Sequence, residues 1–164
     1  MKRFLFLLMA CISGILSHAQ SVVAYVEIDG IYAIHGCKSL KNVMIPANVR
    51  HIGVEAFGIC DALENLTVET GNLVYDSRED CNAIIETATN TIVQGTTHTI
   101  IPESVTIIGE NSFYDYNIKE FTIPANIERI ETNALRFNYP GEGKKISYIS
   151  MRPTPPSIQQ NSLF

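Results

Sequence analysis

The chain has 164 residues, 12 basic against 17 acidic, a formal net charge of -5 and no tryptophan. An acidic chain with no run of lysine or arginine lacks the electrostatic footprint for nucleic acid or an anionic membrane, so neither is expected as a partner. The length suits one domain with a core of its own.

Lys2 and Arg3 precede an apolar run of 13 residues, FLFLLMACISGIL, which is followed by Ser17-His18-Ala19. A short basic segment, a short apolar segment and a small-x-small site make a secretory leader, with cleavage expected after Ala19. Thirteen residues are too few to span a bilayer, and no later apolar run is longer, so no membrane insertion is expected. A rival reading takes Leu8-Met9-Ala10-Cys11 as a lipobox with a lipidated cysteine. Removing residues 1–19 leaves ten basic and 17 acidic residues and three cysteines, Cys37, Cys60 and Cys81. An odd number cannot form a fully paired disulfide framework within one chain. Cys37 and Cys60 fall at equivalent places and read as a ladder of small core residues, with a disulfide as the alternative.

Residues 20–34 contain Asp29-Gly30 between two apolar stretches, a two-residue hairpin signal suited to an N-terminal β cap. From residue 35 to 164 the chain repeats itself. LKNVMIPANVRHIGVEAF, TTHTIIPESVTIIGENSF and IKEFTIPANIERIETNAL each carry Ile-Pro, then aliphatic residues three places on (Val49, Val105, Ile127) and six places on (Ile52, Ile108, Ile130), and Phe57, Phe113 or Leu135 at eleven. The period is 22 to 23 residues, too short for a unit to bury its own apolar face, so neighbouring units must cover one another. In LxxVxI the apolar letters face inward, and short segments of this kind stacked at roughly 4.8 Å form a parallel sheet. Proline after the last inward isoleucine ends each strand because it has no N–H for the ladder.

These residues resemble the BspA-type leucine-rich repeat of secreted and surface-exposed bacterial proteins, over about Gly30 to Phe164. The likeness is close at LKNVMIPANVRHIGVEAFGIC and weaker where Glu131, Tyr116 and Leu135 replace the usual glycine, cysteine and phenylalanine. The resemblance implies a β-rich solenoid, a right-handed coil with a parallel sheet, and a role in adhesion or protein binding.

One unit breaks the period. Ile-Pro returns 33 residues after Glu69, so about ten residues are inserted, and the segment at about 70–97 reads as short strands separated by turns, an inserted β-hairpin. Asn72, Tyr75, Ser77, Thr91, Ile92 and Val93 resemble a longer repeat variant of the same family. Insertions of this sort map to one face and supply binding surface. The insert's YDSREDCN gathers many groups of hydrolytic chemistry. A Cys81 nucleophile would need a partner such as His98, and no motif surrounds either. A calcium loop at Asp76 to Asp80 would place the cation Arg78 among its ligands. A solvated, ion-paired turn is the expectation.

The register puts Lys41, Asn42 and Met44, then Glu64, Asn65 and Thr67, Thr97, His98 and Ile100, Lys119, Glu120 and Thr122, and Ser147, Tyr148 and Ser150 on the outward sheet face. No aspartate stands among them, and Glu64 and Glu120 lie two units apart, which suits recognition better than the clustered carboxylates of a polysaccharide-active parallel β-helix. His35, His51 and His98 occupy different repeat positions, so no metal triad is expected, and no cofactor. The candidate binding residues are Met44, Asn65, His98, Ile100, Glu120 and Tyr148, for an extracellular protein or glycan.

Overall fold

The computed structural model describes residues 21–23, 34–138, 145–148 and 157–159. The leader, the Asp29-Gly30 hairpin and Ser150 lie outside them.

The strands are short and helix is almost absent. The repeat's first segment forms β2 (Asn42–Ile45) and β3 (Asn65–Val68), which pair in parallel with Val43 opposite Leu66 and Ile45 opposite Val68. β1 (Ser21–Val23) adds to the other side of β2, with Val22 opposite Val43. The inward letters are buried as the pattern requires: Leu40, Val43 and Ile45 are no more than 3 % exposed, and Leu63 and Leu66 are sealed. Pro46 and Pro124 follow the last strand residue of their units and turn the chain, and one bond recurs at that corner. The amides of Val49, Val105 and Ile127 donate to the carbonyls of Pro46, Pro102 and Pro124 at 3.1, 3.1 and 3.2 Å. Asn126 ties adjacent units together, its amide donating to Pro102 O and Val105 O; Asn72 does the same to Pro46 O and Val49 O. A second corner carries a left-handed residue at the same place in three units, Glu55, Asn111 and Asn133 at φ 54 to 55°, and Ile59 and Asp115 add another four residues on. Asparagine tolerates that region and glutamate does so poorly, so Glu55 is the irregular member of the three.

The insert departs from a single hairpin. β4 (Tyr75–Asp76), β5 (Ile84–Glu86) and β6 (Thr91–Gln94) form a three-stranded antiparallel meander, with a short 3-10 turn at Arg78–Asp80 between the first two. β6 then pairs in parallel with β7 (Ile107–Ile108), followed by β9 (Arg129–Ile130) and β11 (Ser157–Ile158), so Ile92, Ile108, Ile130 and Ile158 run in register. The insert's last strand thereby takes the place of the repeat's own second segment.

Nor does the insert lie only on the surface. Cys81, Ala83, Ile84, Ile85 and Ile92 are all fully buried. Successive strand residues point to opposite faces, and here the two faces are two cores. Ile84 joins the cluster of Leu40, Val43, Phe57, Leu63 and Leu66, whereas Ile85 joins that of Ile92, Ile108, Phe113, Phe121 and Ile130. β5 is thus the partition between the N-terminal and C-terminal halves of the apolar interior.

Close packing and buried hydrogen bonds join the end of the insert to the units around it. Gly95 lies so close to Phe113 that a Cβ there would stand 2.0 Å from the ring. Gln94, 2 % exposed, donates to Gly95 O, Ser112 O and the Tyr116 hydroxyl, which in turn donates to Phe57 O at 2.7 Å. Tyr116 stands where the usual cysteine would, and its hydroxyl reaches the Phe57 carbonyl, 59 residues away in sequence.

Candidate functional site

The outward face has two intact wings and an interruption between them. On the N-terminal wing Met44 is 37 % exposed, and Asn65, at the start of β3, donates its amide to Asn42 Oδ1 at 2.6 Å, beginning a polar row across neighbouring strands. Beside it Lys41 Nζ lies 2.7 Å from Glu64 Oε1 and holds that carboxyl below its usual range. Both partners are exposed, so the pair orders the surface more than it stabilises the fold.

The C-terminal wing is β8 (Glu120–Ile123) paired in parallel with β10 (Lys145–Tyr148). Glu120 is exposed at the start of β8. In this pair Ile146 stands opposite Phe121, Ser147 opposite Thr122 and Tyr148 opposite Ile123. The spacing of Ile146, Ile149 and Met151 imitates LxxVxI three residues out of phase with the pairing that forms. The side chains of 145–148 lie outside the described part of the molecule.

Between the wings, residues 97–101 were expected to be a strand and are not. Thr96 and Thr99 replace the usual aliphatic pair, and their hydroxyls donate to Asn82 O at 3.4 and 2.7 Å. The Ile100 amide donates to Cys81 O, and the His98 amide to Thr96 Oγ1. The insert and the threonine hydroxyls have taken the groups a strand would use, the competition expected of short hydroxyl side chains. β3 and β8 are therefore not joined, and a groove of about 340 Å³ opens along β8, lined by Thr96, Thr97, Thr99, Ile100 and Ile101 on one side and Ile118, Glu120, Phe121, Thr122 and Pro124 on the other. Ile100 is 75 % exposed at its edge, while His98 is exposed, with Thr97 Oγ1 3.0 Å from its Nδ1. The repeat register placed His98 and Ile100 on one outward strand and Glu120 on the next; the structure sets Ile100 and Glu120 on a shared groove instead. The threonines at 96 and 99 were the signal that could have revealed it.

YDSREDCN resolves into a clamp. Arg78 binds both carboxylate oxygens of Asp76 and also donates to Asn90 Oδ1 at 3.0 Å and Ser104 Oγ at 3.3 Å, fastening the insert to the next corner. Burial disfavours the Asp76 charge, but hydrogen bonds from Arg78 and Thr87 outweigh it and hold the carboxyl below its usual range. Cys81 is sealed in the core, its thiol pushed up to about 11 by burial, the opposite of what a nucleophile needs. Cys60 is likewise a free, buried thiol pushed up to about 11, donating to Ile34 O, so no disulfide links it to Cys37. Among the described residues no three His, Cys, Asp or Glu side chains gather as a metal-binding group.

One buried charge escaped sequence reasoning. Glu55 is 9 % exposed, its Oε2 lies 3.9 Å from His35 Nε2 and receives no hydrogen bond, and burial followed by the nearby Asp115 raises its carboxyl above the ordinary range.

The chain is similar in fold to a leucine rich cell surface protein from Faecalibacterium prausnitzii A2-165, with 23 % identity, a TM-score of 0.50, and coverage of 78 % of this chain and 32 % of that one. A leucine-rich repeat protein from Eubacterium ventriosum ATCC 27560 matches with 16 % identity and a TM-score of 0.46 over 73 % of this chain and 39 % of that one. The chain thus spans about a third of the length of the first structure and about two fifths of the second. No curated protein matches it. The BspA type Leucine rich repeat region matches in six copies, over residues 23–140 and 93–162. With the Ile-Pro corner, the parallel strand registers and this match covering most of its length, the chain belongs to the BspA-type leucine-rich repeat family.

Proposed function

We propose that the chain is a secreted or surface-displayed binding module without catalytic activity, which takes an extracellular protein or glycan on the outward face of a right-handed solenoid. The observation that carries the reading is the groove at the sheet interruption, with Ile100 75 % exposed at its rim and buried Phe121 and Ile118 among its lining residues. Exposed apolar side chains beside a concavity, framed by polar rows, are the features of an interaction hot spot. Family membership and the cell-surface relative support display outside the cell. The basic start, apolar run and small-x-small site of residues 1–19 support export.

The test is a screen of matrix proteins and glycans, repeated with Met44→Ser and Ile100→Ser combined. The expected result is a loss of affinity of about tenfold or more for the ligand found, the scale of one or two lost anchors. Unchanged binding by the doubly substituted protein would sink the sheet-face reading. The enzyme alternative is checked by incubating the protein with a polysaccharide panel: no reducing ends or unsaturated products are expected, and their release would replace binding with catalysis.

A further inference from the structure

We propose that the interruption is a strand-addition site for an extended peptide segment carrying a basic residue; this rests on the binding reading and narrows its ligand to protein. In the N-terminal wing the amides of Glu64 and Asn65 donate to Lys41 O at 2.8 and 3.0 Å, and that of Glu69 to Ile45 O at 2.8 Å. The corresponding residues of the later unit are Lys119, Glu120 and Pro124, so the same geometry turns the backbone of Glu120 and Thr122 toward residues 97–101. No ladder forms there. β8 has β10 as its one strand neighbour among the described residues, and the amides of His98, Thr99 and Ile100 are committed to Thr96 Oγ1, Thr96 O and Cys81 O. A strand edge whose N–H and C=O groups no described residue claims therefore faces a groove between the two wings of the outward face.

Such an edge is complementary to one kind of partner. Alternating donors and acceptors at the strand repeat are matched by another extended backbone, and sugar hydroxyls do not share that spacing. Pro124 has no N–H, so pairing is confined to Glu120 and Thr122 and its register is set. The pocket between Phe121 and Ile100 takes an apolar side chain of the guest. Glu120 is the single charged residue lining the groove, which calls for a lysine or arginine abreast of it.

The probe is the hexapeptide Lys-Val-Thr-Val-Thr-Val, acetylated and amidated, titrated into the ¹⁵N-labelled full chain, with two isomers N-methylated on the first two valines or on the two threonines. Alternate residues of a strand present their N–H groups to opposite edges, so the isomers block one edge each while keeping every side chain. The parent is expected to shift the Glu120 and Thr122 amides and slow their exchange. One isomer should match it and the other bind about tenfold or more weakly, as the loss of backbone hydrogen bonds in a desolvated groove requires. Equal binding of all three peptides overturns strand addition. So does failure of the peptide to bind while a screened glycan binds and is lost on combining Met44→Ser with Ile100→Ser, and that outcome leaves the sheet-face reading intact. If neither peptide nor screened ligand binds, both are overturned.

Discussion

Ile84 and Ile85 are neighbours in sequence, yet β5 delivers them to different cores, and that makes a quantitative prediction. Each is fully buried. Substitution by alanine removes three carbons, about 2.4 kcal/mol of transfer free energy at about 0.8 kcal/mol per methylene. The residual cavity adds to this, because strands pinned on both sides relax little, so each change should cost about 3 to 4 kcal/mol. Ile84→Ala empties space beside Leu63, Leu66 and Tyr75, and Ile85→Ala beside Ile92, Ile108 and Phe113. Residues that share no packing partners are additive within about 0.5 kcal/mol, and adjacency along the backbone does not alter this when side chains diverge. The assay is urea unfolding of the wild type, both single variants and the double variant, each followed by tyrosine fluorescence and far-UV circular dichroism. Near-additive losses are expected, with the two probes giving one transition in every variant so that the free energies are defined. A coupling energy above about 1 kcal/mol would refute the partition, since it would mean that the two side chains share a cavity. Single losses under about 1 kcal/mol would refute the burial on which the estimate rests.

Four further outcomes follow from the polar interior. Tyr116→Phe strands Phe57 O and one donor of Gln94 in the core and should cost about 1 to 2 kcal/mol in chemical denaturation; a neutral result would mean that the hydroxyl does not bridge these two groups. Arg78→Ala should lower stability at pH 7 by about 1 kcal/mol, the half-buried setting limiting the loss. Because the folded Asp76 carboxyl lies below its ordinary value of 3.8, the stability it contributes is present above that pH and lost as pH falls through the folded value, so the two proteins should converge in acid. Glu55 has the opposite sign: its raised folded value makes its contribution complete below pH 4.5 and progressively lost as pH rises, so Glu55→Gln should stabilise the protein at pH 7 by on the order of 1 kcal/mol, read as a higher melting temperature, and change nothing at pH 3. Cys60 and Cys81, with thiols near 11 and no exposed sulfur, should react with Ellman's reagent at neutral pH only as fast as the protein unfolds, measured by stopped-flow in rising urea.

The periodic parts of this molecule were legible because one physical demand acts on every unit. Leu40, Val43 and Ile45 must be covered by Leu63, Leu66 and Val68, so each unit repeats the same letters, and Ile-Pro followed by Val49, Val105 or Ile127 reports the same corner bond three times. Legibility fails where that demand is answered by a different chemistry. At residues 96–101 the spacing of a strand survives in Ile101-Pro102, but Thr96 and Thr99 can bond to Asn82 O, and the choice between ladder and hydroxyl depends on where the insert places that carbonyl. At Ile146 to Met151 the LxxVxI spacing would set Ile149 opposite Phe121, and the pairing that forms sets Ile146 there instead. YDSREDCN was legible as a turn but not as a clamp, since Asn90 and Ser104 lie 12 and 26 residues from Arg78 and nothing local marks them as its acceptors. The insert's burial was the largest omission, and its cause is the alternation of NAIIE itself: Ile84 and Ile85 in succession are wrong for a strand with one wet face, and right for a strand with a core on each side. The candidate site inherits the same logic. Its exposed residues were readable from repeat position, while the groove that joins them exists only because the meander draws one unit out of the sheet.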